Sequence, residues 1–246
     1  MLEKTTTTSS FFGWTGYHKN RIWEIDALRG IAILNMILCH FLYDLRWFYA
    51  WKIDLNSPWL WLPFQGAVLF FLLSGISSNF SRNNIKRGLQ TGALALLVTL
   101  VTWLLDNHAY IRFGTLHFLA CAMLLTPLLK KLNSIQLAGF TLLFFAMGFY
   151  FSQCSVTNPW LFPFGLLTAS FTSTDYFAIF PNLGYYSLGI LIARRYYAER
   201  RSLFTPLPHS RWLQGMGQHS LFLYILHQPL ILTALWFIAR VKDSII

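Results

Sequence analysis

Charge is scarce in this chain, and negative charge scarcest: Asp and Glu number 9 against 19 Lys and Arg in 246 residues. Charged residues amount to 11%, under half the quarter typical of a soluble domain, so a chain of this length does not form an ordinary water-soluble globule. Cysteine is sparse as well. Cys39, Cys121 and Cys154 are odd in number and far apart, which argues against a disulfide framework or a cysteine metal site. The first 20 residues, with Thr5 to Thr8 and Ser9–Ser10, lack the apolar core and small-residue cleavage site of a signal peptide. They read as a disordered polar leader. No internal repeat is evident, and no single basic patch or binding motif supports a nucleic-acid partner.

What is abundant is apolar surface: 55% of residues are hydrophobic, 18% are aromatic, and mean hydropathy is +0.48. The pattern predicts an all-α polytopic membrane protein of about seven spans, at 25–47, 60–80, 88–107, 112–129, 135–152, 176–195 and 217–239. Pro58, Asn83–Asn84, Asn107, Asn133, Asn158–Pro159 and Pro206–Pro208 punctuate them. Residues 21–246 are expected to form one domain.

Cations set the expected orientation. With a cytoplasmic N-terminus, 13 of the 19 Lys and Arg fall inside, in 4–21, 82–87, 130–131 and 194–211. Arg46, Lys52, Arg112, Arg240 and Lys242 fall outside, and Arg29 lies within the first span. Cytoplasmic loops carry the excess of basic residues. The bookkeeping makes 159–173 re-entrant or interfacial, since a further span there would turn the Arg194–Arg211 loop outward. The C-terminus then ends outside. The net charge of +10 reflects this topology and contact with anionic lipid.

Inside the first span the polar residues are not scattered. Arg29 and His40 are eleven residues apart, which at roughly 100° per residue returns them to one helix face, about 16 Å apart along the axis. Asp26 and Asp44 fall within about 60° of Arg29 on the same projection. An ionisable group at mid-bilayer costs on the order of 3 kcal/mol, so such a stripe faces protein or water and marks function. A structural ion-pair seam between helices is the plainer alternative. His40 has a proton affinity near working pH. Asp44, one turn on, can orient its ring. Arg29 can grip a phosphate through its forked donors, and Asp26 can pair with Arg29. His117 enters from the opposite end about five residues deep, and His227 lies nearer the middle of the last span. Either can equally be an interior histidine bonded to a neighbouring helix. Ser74–Gly75 reads first as close helix packing.

The segment from Arg21 to Leu34 (RIWEIDALRGIAIL), followed by His40, resembles the opening of the transmembrane acyltransferase superfamily, which includes acyltransferase family three and its first-helix Arg–His pair. Phe70–Gly75 resembles that family's second-helix motif. Gly114–His117, Asp175–Gly184, and Gly217–Leu221 through His227–Pro229 resemble the heparan-alpha-glucosaminide N-acetyltransferase catalytic branch (domain of unknown function 1624). The likeness runs from Arg21 to about Pro229.

The resemblance implies transfer of an acetyl (acyl) group from cytoplasmic acetyl-CoA to a sugar hydroxyl or amine of a glycan or glycolipid across a bacterial inner membrane. It implies donor binding by Arg29 and catalysis at His40. The reading of the residues adds Asp26, Ser74, Arg82 and Arg87 on the donor side, Asp44 and His117 on the catalytic side, and His227 as an additional candidate. No metal is expected. Seven spans are fewer than in many relatives, which leaves the acceptor vestibule reduced or completed by a second copy in a homodimer. Asn182 stands where that branch leads one to expect Trp. Two rival readings are a zinc-dependent intramembrane hydrolase drawing ligands from His40, Asp44, His117 and His227, and a small transporter or flippase.

Overall fold

The computed structural model describes residues 21–49, 52, 54, 65–108, 110–208 and 210–245. The expected leader, 1–20, and the expected start of the second span at 60–64 lie outside them. Helix α1 runs Trp23–Tyr49, α2 Gly66–Phe80, α3 Asn84–Leu105, α4 Thr115–Lys131 and α5 Ser134–Ser152. After a 3-10 turn at Pro159–Phe164 come α6 Ile179–Tyr196, α7 Arg211–Gln218 and α8 Ser220–Ile245. Among the described residues there is no strand, only the isolated bridges Phe113–Tyr176 and Ser155–Leu167. Among the described residues, four stretches are long and apolar enough to cross a bilayer: Trp23–Arg46, Asn84–Leu105, Ser134–Ser152 and Ser220–Arg240. Gly66–Phe80 is a shorter apolar helix. The protein is an all-α polytopic membrane protein.

The asparagines that punctuate the sequence work as helix caps. Asn83 Oδ1 accepts from Lys86 N at 2.9 Å. Asn133 and Gln136 exchange bonds of 2.8 and 3.0 Å in a reciprocal capping box. The last helix differs from the expected 217–239. A break at His219 divides it, so α7 and α8 are separate elements.

At one end of the bundle, Lys130 Nζ donates to Ser81 O at 3.2 Å, and Arg200 donates to Phe80 O at 3.4 Å. Arg194 gives its guanidinium N–H groups to the carbonyls of Leu129, Lys130 and Leu132 at the end of α4. Carbonyls at a helix C-terminus lack intrahelical donors, and a cation there also complements the helix dipole. At the other end, residues 153–178 fold over the α3–α4 connection. Phe177 N donates to Phe113 O at 2.9 Å, and Arg112 N to Ser173 Oγ at 3.2 Å. This linker therefore returns to the end it left, and its six-residue 3-10 turn, about 12 Å long, does not span.

The core is built on α2 and α6. Phe71, Phe118, Leu137, Tyr186 and Ile190 are fully buried. Polar bonds tie the helices where water is absent: Tyr186 Oη to Thr126 Oγ1 at 2.7 Å, and Ser187 Oγ to Thr141 Oγ1 at 2.9 Å. Leu97, Leu105 and Leu142, by contrast, are exposed on α3 and α5, as a lipid-facing surface requires.

The α2–α6 contact depends on small residues. A Cβ at Gly75 would fall 1.9 Å from Tyr186 O and 2.9 Å from its carbonyl carbon, so the α6 backbone itself would have to move. Gly75→Val is expected to destabilise the protein by about 2–3 kcal/mol, read as a lower thermal midpoint in detergent. Gly139→Ala, where a Cβ meets nothing within 4 Å, is expected to leave the midpoint within a degree or two, since surface changes are worth about 0.5 kcal/mol or less.

Candidate functional site

The first turn of α1 supplies a buried carboxylate, a favourable position because the unpaired N–H groups there carry partial positive charge. Asp26 is 4% exposed. Its Oδ2 accepts from Arg21 Nε at 2.7 Å and Gln218 Nε2 at 3.4 Å, and its Oδ1 from Arg21 Nη2 at 3.1 Å and Arg29 Nη1 at 3.3 Å. Arg21, ahead of α1, is held even more firmly charged than usual by its hydrogen bond to this carboxylate. Gln218 reaches Asp26 because α7 presses directly on α1: a Cβ at Gly217 would sit 1.8 Å from Asp26 O. Arg29 extends its second amino group to Ser77 Oγ on α2, which itself donates to Leu73 O at 2.8 Å.

These side chains line a cavity of about 590 Å³. Arg21, Arg29, Arg87 and Arg200 surround it with Asp26 as the one carboxylate among the described residues, and Ser74, Ser77, Gln90, Thr91, Gln218 and Ser220 add neutral polar groups. Its walls become apolar at Phe70, Leu116, Leu119 and Met123, and it reaches Tyr224 on α8. A volume of this size with a group of guanidiniums and an apolar interior suits an elongated anionic ligand.

Tyr224 is the junction. Its hydroxyl donates to Asp175 Oδ2 at 3.1 Å, and the same oxygen accepts from Thr115 N at 2.9 Å, at the start of α4. Burial pushes the Asp175 carboxyl above its ordinary range, and the bonds from Thr115 and Tyr224 oppose that rise only in part. Tyr224 also abuts His227, with ring centroids 5.7 Å apart. His227 in turn lies 4.9 Å from His40, the planes tilted by 51°. One residue on, Gln228 Nε2 donates to Asp44 Oδ2 at 2.9 Å.

The imidazole beside His40 is thus that of His227. His117 sits elsewhere: its Nδ1 accepts from Gly114 N at 3.2 Å, and its Nε2 lies 3.1 Å from Thr99 Oγ1. Thr99 donates its own proton to Ile111 O, so His117 Nε2 must be the donor. Both nitrogens are then engaged in a bracket that fixes the start of α4.

Of the candidate residues, Arg29, Asp26, Ser74 and Arg87 line the cavity. Arg82 is exposed in the link before α3 and is not part of the lining. His40 and Asp44 lie beyond Tyr224, further along α1. Among the described residues no three His, Cys, Asp or Glu side chains converge to hold a metal, and His117 stands apart from the other ligands that the hydrolase reading requires.

Sequence reading missed Arg21, Ser77, Gln218, Tyr224 and Asp175 as parts of the site. Their signal was position: each is a polar residue in or beside a segment that carries the family likeness, on an element other than α1.

Residues 21–229 match the protein family described as "Heparan-alpha-glucosaminide N-acetyltransferase, catalytic". No curated protein matches the chain, and no solved structure does.

A carboxyl whose affinity for protons is higher in the folded than in the unfolded chain favours folding while protonated. That contribution is fully present below the unfolded value, about pH 4, and is lost as pH rises through the higher folded value. Asp175 lies in the linker before α6, so its titration can be read as stability. The wild-type thermal midpoint, relative to that of Asp175→Asn, is expected to decline as pH rises from about 4 through the folded value. A constant difference across that window would show that the Asp175 carboxyl does not titrate with folding.

Proposed function

Because the chain belongs to the heparan-alpha-glucosaminide N-acetyltransferase catalytic family, we propose that it transfers an acetyl group from cytoplasmic acetyl-CoA to a sugar hydroxyl or amine on the far side of a bacterial inner membrane. The observation that carries this reading is the cavity with four guanidiniums around one carboxylate at one end and Tyr224 at the other. Acetyl-CoA has the same polarity, with several phosphate charges at one end of a long neutral arm and a thioester at the other. Guanidiniums bind phosphate through paired N–H donors and stay charged when partly buried. Arg29, braced by Asp26 and Ser77, enters with its rotamer already set, so little side-chain entropy is lost on binding.

The cavity end with Arg21, Arg87 and Arg200 is the end where the cations that argue for a cytoplasmic face gather. In this reading the phosphates bind there and the pantetheine arm lies along Phe70, Leu116, Leu119 and Met123. The thioester stops at Tyr224, adjoining the His227–His40 pair. His40 takes the proton of the attacking hydroxyl or amine as its oxygen or nitrogen bonds to the acyl carbon and the carbon–sulfur bond breaks. Asp44 is the carboxylate nearest in sequence, bonded to Gln228. His117 contributes by fixing α4, where Thr115 meets Asp175.

Radiolabelled acetyl-CoA consumption by protein in lipid discs tests this. His40→Ala is expected to lower kcat by about 10²- to 10⁴-fold, the usual contribution of a general base. Arg29→Gln is expected to raise KM for acetyl-CoA about tenfold, as removal of a charge-assisted bond worth about 1.5–3 kcal/mol would. Unchanged turnover in both variants would end the reading. Acyl-CoA-independent counterflow of a solute in proteoliposomes would replace it with transport.

A further inference from the structure

The imidazole pair has a feature that the transfer reaction as described above does not use. His227 is 8% exposed, and its Nδ1 lies 2.7 Å from the carbonyl oxygen of Tyr224. A carbonyl only accepts, so Nδ1 carries the ring proton and Nε2 presents a bare lone pair. That Nε2 is buried and has no hydrogen-bond partner. Gln228 shows the same lack: its amide N–H is given to Asp44, and its Oε1 is buried without a donor. Two consecutive residues of α8 thus hold unused acceptors in the protein interior, one of them, His227, directly beside His40. Buried polar groups are almost always paired, so an orphan in a native fold calls for an explanation, and a catalytic role is one.

We propose that His227 is a positioning residue for His40: the Nε2 lone pair of His227 receives the ring N–H on the side of His40 turned away from the acceptor, which leaves the other His40 nitrogen to take the acceptor's proton. This rests on the acetyl-transfer reading and adds the residue that stabilises the charge the reaction creates. In the resting pair the ring centroids are 4.9 Å apart and no hydrogen bond joins His227 Nε2 to the His40 ring N–H; that bond forms as the rings close during turnover. Once the acceptor's O–H or N–H bond breaks, His40 becomes an imidazolium, and in a low-dielectric interior that charge needs an acceptor within reach. The acyl carbon bonds to the acceptor atom, and the sulfur leaves with the carbon–sulfur electron pair. The proton rests on the imidazole pair until the CoA thiolate takes it, which returns both rings to neutral. The His227 ring touches both His40 and cavity-lining Tyr224, with centroids 4.9 and 5.7 Å away, so the pair adjoins the end of the cavity where the thiolate forms. Asp44, the partner that one-turn spacing suggests for His40, is instead the acceptor for Gln228. The titratable groups facing the pair are Asp44 on α1, Tyr224 on α8 and Asp175 from the linker before α6.

Two measurements test the proposal. The first is steady-state acetyl transfer from acetyl-CoA to glucosamine by the full chain in lipid discs. His227→Phe is expected to lower kcat about 100-fold while KM for acetyl-CoA changes by less than about twofold. His227→Gln, whose amide oxygen can stand near the Nε2 position, is expected to recover about tenfold of that loss. The double variant His40→Ala/His227→Phe is expected to be no slower than His40→Ala alone, since residues acting as a unit are not additive. Multiplying losses, or a raised KM with kcat preserved, would overturn the proposal.

The second measurement needs no turnover: nitrogen-15 NMR of histidine-labelled protein. It is expected to show His227 as the Nδ1–H tautomer, with its bare Nε2 signal moving in step with His40 protonation and that step absent in His40→Gln. A proton on Nε2 in the resting protein, or titration of His227 indifferent to His40, would overturn it even where acetyl transfer is confirmed. Coupled titration without acetyl transfer would instead sink the transferase reading and leave the pair standing.

Discussion

A carboxylate taken out of water is tolerated only where its charge is met at close range, and Asp26 shows how much of a fold that requirement can organise. Two guanidiniums and an amide converge on it from before α1, from within α1 and from α7. Because Arg29 also bonds Ser77, the same cluster ties α1 to α2. Removing the carboxylate itself would leave Arg29 buried without its counter-charge, a far larger penalty than the net worth of a surface ion pair. The cluster forms the wall of the cavity, so one electrostatic constraint both assembles three helices and leaves a cationic recess between them.

The same logic recurs at the cationic end of the bundle. Arg194 covers the last carbonyls of α4. Glu24 Oε1 accepts from Leu203 N at 2.7 Å, and Trp23 Nε1 donates to Phe204 O at 2.9 Å, which docks the α6–α7 loop beside the cavity. In that loop Arg200 takes a left-handed backbone conformation, φ 55°, rare for a residue with a side chain, and its guanidinium lies over the Phe80 ring at the cavity. Charge is thus concentrated at one end of the bundle, while imidazole, phenol and carboxyl groups occupy the depth beyond Tyr224. A ligand with anionic and reactive ends far apart is matched by a protein with the same separation.

Helix periodicity and hydropathy made the membrane class and most elements legible. An apolar run is readable because a backbone in lipid must satisfy itself by forming a helix, whatever its neighbours are. The caps at Asn83 and Asn133 were equally readable, since their bonds are local. The break at His219 was not, because Gly217 and Gln218 are shaped by contact with Asp26, nearly two hundred residues away.

For the site, the sequence by itself determined that Asp26, Arg29, His40 and Asp44 share one face of the first helix, because spacing along a helix sets direction. It could not determine their partners. Only the tertiary structure decided that His40 meets His227, that Asp44 meets Gln228, and that His117 is spent on Gly114 and Thr99. Those choices depend on how far each helix slides and turns against the next, and that is set by side-chain volume across the interface, which one-dimensional periodicity does not contain.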